Sequence, residues 1–110
     1  MSRKSTALTP PKPKTVRFTW RHVTCSVRHT PDYLRSGQSH LEFRVVSPKG
    51  CPVPLTDTGY FSHFMPAELL DANGGPIAFL TAWLDRDAGS KKYKDADYRW
   101  RQGDLFDAER

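Results

Sequence analysis

The spacing of the hydrophobic residues changes partway along the chain, and this change constrains the fold more than any other feature. Up to residue 55, hydrophobic and polar residues alternate, which is typical of strands with one buried side. From residue 66 to residue 84, hydrophobic residues recur every three or four positions, as they do along one side of a helix. Strands followed by helices indicate an α+β domain. We therefore predict a small two-layer α+β domain, with three or four antiparallel strands followed by two helices.

The first alternating stretch runs from Thr15 to Thr30 and changes phase at Arg21-His22. Either a β-bulge within one strand or a turn between two short strands would produce such a change, and the pattern leaves both open. The hydrophobic residues on the two sides of the change are Val16, Phe18 and Trp20, and then Val23, Cys25 and Val27.

Two further strands are predicted on either side of a turn. Residues 41–46 alternate with their apolar side chains on one side, and residues 47–50, Ser-Pro-Lys-Gly, suit a type I turn. Residues 51–55 would then return as a strand. Because Pro52 and Pro54 have no N–H to donate, this returning strand must lie at an edge of the sheet.

Proline and glycine residues mark the limits of the two predicted helices. Pro66 begins a short helix that ends at Asn73-Gly74, and Gly75-Pro76 begins a second that ends at residues 87–89. The second helix should pack across the sheet. Its apolar residues are Ile77, Phe79, Leu80, Trp83 and Leu84. Residues 90–100 are mostly charged, and the pattern leaves a frayed helix or a linker open there.

The two ends of the chain differ in composition from this body. Residues 1–14 hold three prolines and four basic residues, and we expect them to form a disordered basic arm. We expect residues 15–100 to form a single domain and residues 101–110 to form a C-terminal tail. The chain has two cysteines, no recognisable signal peptide and no run of some twenty apolar residues. We therefore expect a reduced, soluble, cytoplasmic protein without membrane contact.

The tail places two large apolar residues among charged neighbours. Leu105 and Phe106 follow Gln102-Gly103-Asp104, and an apolar pair near a chain end usually has something that covers it. This pentapeptide resembles the short motif by which bacterial replication and repair proteins bind the β sliding clamp. Gln102, Asp104, Leu105 and Phe106 match the motif, whereas Gly103 stands where leucine is common.

The resemblance implies a partner and a class of function. Gln102, Asp104, Leu105 and Phe106 would bind the sliding clamp. The chain would then be a small non-enzymatic adaptor or accessory protein of bacterial DNA metabolism, of a kind that a mobile element could carry. A lone extended peptide of this type should bind its groove at about micromolar strength. The alternative is that Leu105 and Phe106 fold back onto the protein's own core.

The charge distribution favours a second class of function. The net charge is +5, but the first fifty residues hold ten of the seventeen Lys and Arg residues and only two of the twelve Asp and Glu residues. Basic residues with nearby Trp20 and Tyr33 suit single-stranded nucleic acid, unless Trp20 belongs to the core and the charge serves only solubility. The candidate nucleic-acid-binding residues are Arg17, Arg21, Arg28, Arg35 and Arg44.

Other polar clusters give weaker indications of chemistry. His22, Cys25 and His29 lie close in sequence, but a presumed strand does not direct them to one point as a zinc site requires. Ser62 and His63 are adjacent and would face opposite ways in a strand, so a small enzyme that uses this loop is the least favoured alternative. We therefore expect no catalytic residue, no metal and no cofactor, and we leave the oligomeric state open. If a functional pocket exists, we expect it at residues 56–64.

Overall fold

The computed structural model describes residues 12–108, with side chains described through Gly103. Four strands come first and three α-helices follow, with a short 3-10 turn at Tyr33–Arg35. The strands are β1 (Lys14–Trp20), β2 (Val23–Thr30), β3 (Gln38–Ser47) and β4 (Tyr60–Pro66), and the helices are α1 (Ala67–Ala72), α2 (Pro76–Asp87) and α3 (Lys91–Ala108). The order of the elements confirms the predicted α+β class.

The four strands form one antiparallel sheet in the order β1-β2-β3-β4. The phase change at Arg21-His22 is a turn between two strands, since Trp20 pairs with Val23 across it. Residues that pair across antiparallel strands share a face of the sheet. Because Trp20 and Val23 are an odd number of residues apart, the buried positions change from even to odd numbers at this turn.

The edge strand predicted at residues 51–55 is wrong. This segment makes only an isolated bridge between Val53 and Thr56. The strand that pairs with β3 is β4, with Phe43 opposite Phe61 and Leu41 opposite His63. Prolines at two alternate positions deprive residues 51–55 of ladder donors, whereas residues 60–65 have every N–H. The sequence pattern concealed β4 because it carries apolar side chains on both faces.

The helices cover one face of the sheet, which we call the inner face. It carries the buried side chains of β2 and β3, and Leu80 and Leu84 of α2 and Leu70 of α1 pack against them. Trp20 belongs to this core with 3% of its surface exposed, and its indole N–H donates to Asp85 at 2.8 Å. The core interpretation of Trp20 is therefore correct, and this residue is not available for stacking with a ligand.

Residues 91–108 form the helix α3, so the linker alternative for residues 90–100 is wrong. Tyr93, Ala96 and Trp100 recur at helical spacing, and Tyr93 and Trp100 pack against the core. Among the side chains of residues 91–103, these three form the apolar stripe in a stretch of charged residues. A helix with so narrow a stripe depends on tertiary packing more than on its own propensity.

Several predictions concern residues outside the described part of the chain. Residues 1–11 of the predicted arm lie outside it, while Lys14 already belongs to β1. The backbone of α3 extends through Ala108, but the side chains of Asp104, Leu105 and Phe106 lie outside the described residues. Among the residues that are described, no helix is both long enough and apolar enough to span a bilayer.

Candidate functional site

The second face of the sheet, which we call the outer face, carries polar and aromatic side chains. On each strand its residues alternate with those of the inner face. Arg17, Arg28 and Arg44 are exposed there, as are Tyr60 and Ser62 of β4. In the described part of the chain, the helices pack on the opposite side. The outer face is therefore a broad surface that a ligand can reach.

The strand register brings three predicted arginines together on this face. Arg17 lies opposite Ser26, Ser26 opposite Arg44, and Arg44 opposite Tyr60, so one row crosses all four strands. Arg28 lies two residues along β2 from Ser26, opposite Glu42, and therefore on the same face. Neighbouring strands lie about 4.8 Å apart, so the three guanidinium groups come from positions within roughly 10 Å across the sheet.

Arg28 and Arg44 use little of their hydrogen-bonding capacity within the protein. The Arg44 guanidinium lies 4.5 Å from the centre of the Tyr60 ring, and the Tyr60 hydroxyl donates to Glu42 at 3.2 Å. Arg28 lies 4.0 Å from the Glu42 carboxylate, and 56% of its side chain is exposed. An exposed ion pair at this distance contributes little. The guanidinium N–H groups therefore remain available to an anionic ligand.

Three aromatic rings form a cluster at one end of the outer face. His40 stacks on Phe64 with ring centres 4.3 Å apart, and Tyr33 from the 3-10 turn contacts both rings. Phe64 is 49% exposed, although it is one of the largest apolar side chains of its strand. An exposed ring that is already held by its neighbours presents a fixed surface for stacking.

His40 also contacts Ser62, which bears on the possibility of catalysis. His40 Nε2 lies 2.7 Å from Ser62 Oγ, and His40 Nδ1 lies 3.9 Å from Glu42 Oε2. The second distance is too long for a hydrogen bond that would orient the ring. Ser62 and His63 point to opposite faces, as expected for neighbours in a strand. Acyl transfer also needs oxyanion donors and shelter from water, and Ser62 is exposed.

The other two candidate arginines lie elsewhere. Arg21 is in the turn between β1 and β2, with its guanidinium 4.7 Å from the Trp20 ring and 5.9 Å from the Tyr93 ring of α3. Arg35 ends the 3-10 turn, two residues after Tyr33, and is exposed. The structure thus collects three of the five arginines on one face, places Arg35 in the 3-10 turn that also carries Tyr33, and separates Arg21 from them.

A groove of about 820 Å³ lies between the loop of residues 48–59 and α3. Residues 56–60 of the segment in which a pocket was expected line this groove. The basic residues of its lining are Arg44, Lys49, Lys92 and Arg99. Arg44 and Tyr60 belong both to this groove and to the outer face, so the two surfaces are continuous.

A smaller cavity of about 390 Å³ lies on the inner side of β4, beside α2. It is lined by His63, Phe79 and Trp83, together with polar residues at its rim. His63 is stacked between Phe61 and Phe79, with ring centres 5.9 Å and 5.8 Å away. Burial lowers the pKa of His63 below its ordinary value, so the ring is neutral at neutral pH. This ring serves the packing of the sheet edge.

His22, Cys25 and His29, which lie close in sequence, are in separate environments. His29 contacts the Ser39 hydroxyl at 3.1 Å, and His22 lies 3.5 Å from the thiol of Cys51. Cys25 is buried on the inner face, and this burial raises its pKa to about 11. Among the residues that the structure describes, no three potential ligands are grouped to hold a metal.

Sequence reasoning missed the residues that complete the outer face. His40 was not among the candidates, and Tyr60 and Phe64 were included only in the segment 56–64, where a pocket was expected. His40 has the same parity in β3 as Arg44, so it could have been found by following the outward side of that strand. Tyr60 and Phe64 could not be found in this way, because β4 itself was not recognised as a strand.

These features define a class of protein: a small α+β domain with a four-stranded antiparallel meander, helices on one face and an open basic and aromatic face on the other. The chain matches the family model described as the KlcB third domain over residues 13–93, well over half of its length, and it belongs to this family. The match contains the whole sheet and ends before Gln102. Comparison with curated proteins and with solved structures gave no significant match.

Proposed function

We propose that this domain binds single-stranded nucleic acid on the outer face of its sheet, as an accessory protein that a mobile element carries. One observation carries the proposal. Arg17, Arg28 and Arg44 come from three adjacent strands to one exposed face, which ends in the stacked pair His40 and Phe64. Membership of the KlcB third-domain family supports the coarser part, an accessory role.

The arginines and the aromatic side chains would contact different parts of the nucleic acid. The arginines contact phosphate oxygens, which gives affinity without reading the sequence and makes binding depend on salt. Tyr60, Phe64 and Tyr33 offer ring faces to unpaired bases, and each stacked base contributes about 1–3 kcal/mol. Within residues 12–103, the outer face of the sheet presents no helix that could enter the major groove of a duplex. The surface therefore favours a single strand over a double helix.

The test is a titration of a fluorescent oligothymidylate at two salt concentrations. The variant Arg17→Gln/Arg44→Gln should lose at least about tenfold in affinity, and its salt slope should fall by about 1.4, which is about 0.7 for each phosphate contact in a single strand. The matched control is Arg86→Gln/Lys94→Gln, which removes the same charge from exposed positions on the helices. Equal losses in both variants would mean that only net charge matters, and the proposal would fail.

A second candidate function is engagement of the sliding clamp through Gln102, Asp104, Leu105 and Phe106. The observation that favours it is where the core ends along α3. Trp100 packs against the core, while Gln102 and Gly103 are exposed. Binding in an extended groove requires the end of α3 to unwind. Gly103 favours this step, because glycine within a helix costs about 1 kcal/mol relative to alanine.

This second function is tested by titrating the full chain against purified β clamp. The variant Leu105→Ala/Phe106→Ala should abolish binding, because these two side chains supply the apolar contacts. The control Asp107→Ala/Glu109→Ala changes the flanking residues only and should bind at least as well as the native chain. A native chain that shows no binding at tens of micromolar would remove this candidate and leave the proposal for the outer face intact.

A further inference from the structure

The groove between the loop of residues 48–59 and α3 is lined by more basic than acidic side chains. Its lining includes five charged side chains: the cations Arg44, Lys49, Lys92 and Arg99, and the single anion Asp57. The Lys92 ammonium lies 2.9 Å from the Asp57 carboxylate, but both side chains are more than 70% exposed, so water screens this pair. The groove therefore keeps a positive balance.

The walls of the groove are already formed. The Thr56 hydroxyl donates to the Tyr60 carbonyl at 2.8 Å, and Val53 forms a bridge with Thr56. At the other end, a β-carbon placed on Gly50 would lie 3.7 Å from the Trp100 ring, so the loop approaches α3 closely there. A volume of about 820 Å³ lies within the usual size of ligand sites, about 300–1,000 Å³. A ligand would therefore meet a groove that needs little ordering.

The groove also continues from the outer face. Arg44 and Tyr60, which pair across β3 and β4 and end the row of arginines, line both surfaces. A single-stranded nucleic acid that crosses the outer face along this row would reach the groove at Arg44 and Tyr60. Beyond that point the loop contributes Lys49, and α3 contributes Arg99 and Lys92, of which Lys92 pairs with Asp57.

We propose that this groove binds the phosphates of the nucleotides that follow those on the outer face, so that one single strand occupies both surfaces. This inference rests on the proposed function and extends it: Lys49 and Arg99, the groove cations outside the outer face that do not pair with Asp57, act as phosphate-binding residues that lengthen the binding site. Phosphate of a free nucleotide has the same chemistry as phosphate of a strand, so the experiment includes both.

The experiment measures the affinity of the full chain for oligothymidylates of increasing length, from about four to about twelve nucleotides, which spans the site sizes of small single-strand-binding domains. The variant Lys49→Gln/Arg99→Gln should bind the short oligonucleotides as the native chain does. For the long ones it should lose about tenfold in affinity, with a salt slope lower by about 1.4. The control Arg86→Gln/Lys94→Gln, which changes cations outside the groove, should keep the native dependence on length.

The outcomes separate this inference from the proposed function. If the native chain binds short oligonucleotides but Lys49→Gln/Arg99→Gln binds long ones normally, the groove inference fails and the outer face stands. If the native chain binds no oligonucleotide of any length, both fail. A mononucleotide that competes at the groove as well as a long oligonucleotide does would also overturn the inference, because the groove would then hold a free nucleotide and not a continuing strand.

Discussion

The inner and outer faces of the sheet are built from alternate residues of the same strands, yet they differ in almost every physical property. On β3, Leu41 and Phe43 are fully buried under the helices, while Glu42 and Arg44 between them face solvent. The inner face contributes the free energy of folding. The outer face carries three exposed arginines and the stacked pair His40 and Phe64. Substitutions at adjacent residues of one strand should therefore affect different properties: stability on the inner face and binding on the outer face.

The largest expected effect is on the inner face. Phe43→Ala should lower the free energy of unfolding by about 3–5 kcal/mol, because it leaves a cavity in a fully buried site. Urea unfolding followed by circular dichroism measures this change. In a domain of this size the loss is a large share of the total stability. A loss below about 1 kcal/mol would contradict the assignment of Phe43 to the core.

A smaller loss is expected where a polar group joins the core. Asp85→Ala removes the carboxylate that accepts the Trp20 indole N–H at 2.8 Å, and it should cost about 1 kcal/mol. The exposed neighbour Arg86 provides the control, since Arg86→Ala should change stability by less than about 0.5 kcal/mol. Equal stabilities of the two variants would mean that the indole bond does not hold Trp20 in place.

A substitution on the outer face should change binding more than stability. Phe64→Ala removes a ring that is 49% exposed, so it should change the free energy of unfolding by less than about 1 kcal/mol. The same variant should weaken binding of an oligothymidylate by about tenfold, because one stacking surface is lost. Unfolding and binding measured on one preparation check both statements. A variant that unfolds easily but binds normally would reverse the roles assigned to the two faces.

The smallest effect expected is a dependence of stability on pH. Burial lowers the pKa values of His29 and His63 below the ordinary 6.5, so the unfolded chain takes up more protons than the folded one in mildly acidic solution. Their contribution is complete above about pH 6.5 and is lost as the pH falls below that value. Urea midpoints at pH 7.5 and pH 5.5 should show the decrease, and His63→Phe should reduce it. A stability that rises as the pH falls through this range would contradict the sign.

The sequence predicted the class of the fold better than its edges. Alternation found β1, β2 and β3 because each has one apolar side, and the turn residues around Pro66 and Gly75 found the two short helices. The pattern could not find β4, where Phe61 faces inward and Phe64 outward, since alternation disappears when both faces are apolar. It could not decide on α3 either, because residues 90–100 are mostly charged.

The site was predictable only in part, for a related reason. The five arginines could be chosen by charge, but their grouping depends on strand register, which pairs residues far apart in sequence. Arg17 and Arg44 share a row only because Ser26 lies between them in space. The sequence could not separate Arg21 from the others, because the pattern there suited a bulge as well as the turn in which Arg21 lies. Tyr60 entered the site with the strand that the sequence pattern had concealed.

The most direct test of the account is a map of amide chemical shifts during titration of the labelled domain with a ten-nucleotide oligothymidylate, a length of the order of one small binding domain. The account predicts that shifts follow the alternation of the strands. Residues of the outer face, Arg17, Arg28, Arg44, Tyr60 and Phe64, should change most, and their inner neighbours little. Shifts confined to the helices, or spread equally over both faces, would contradict the claim that the open face binds the strand.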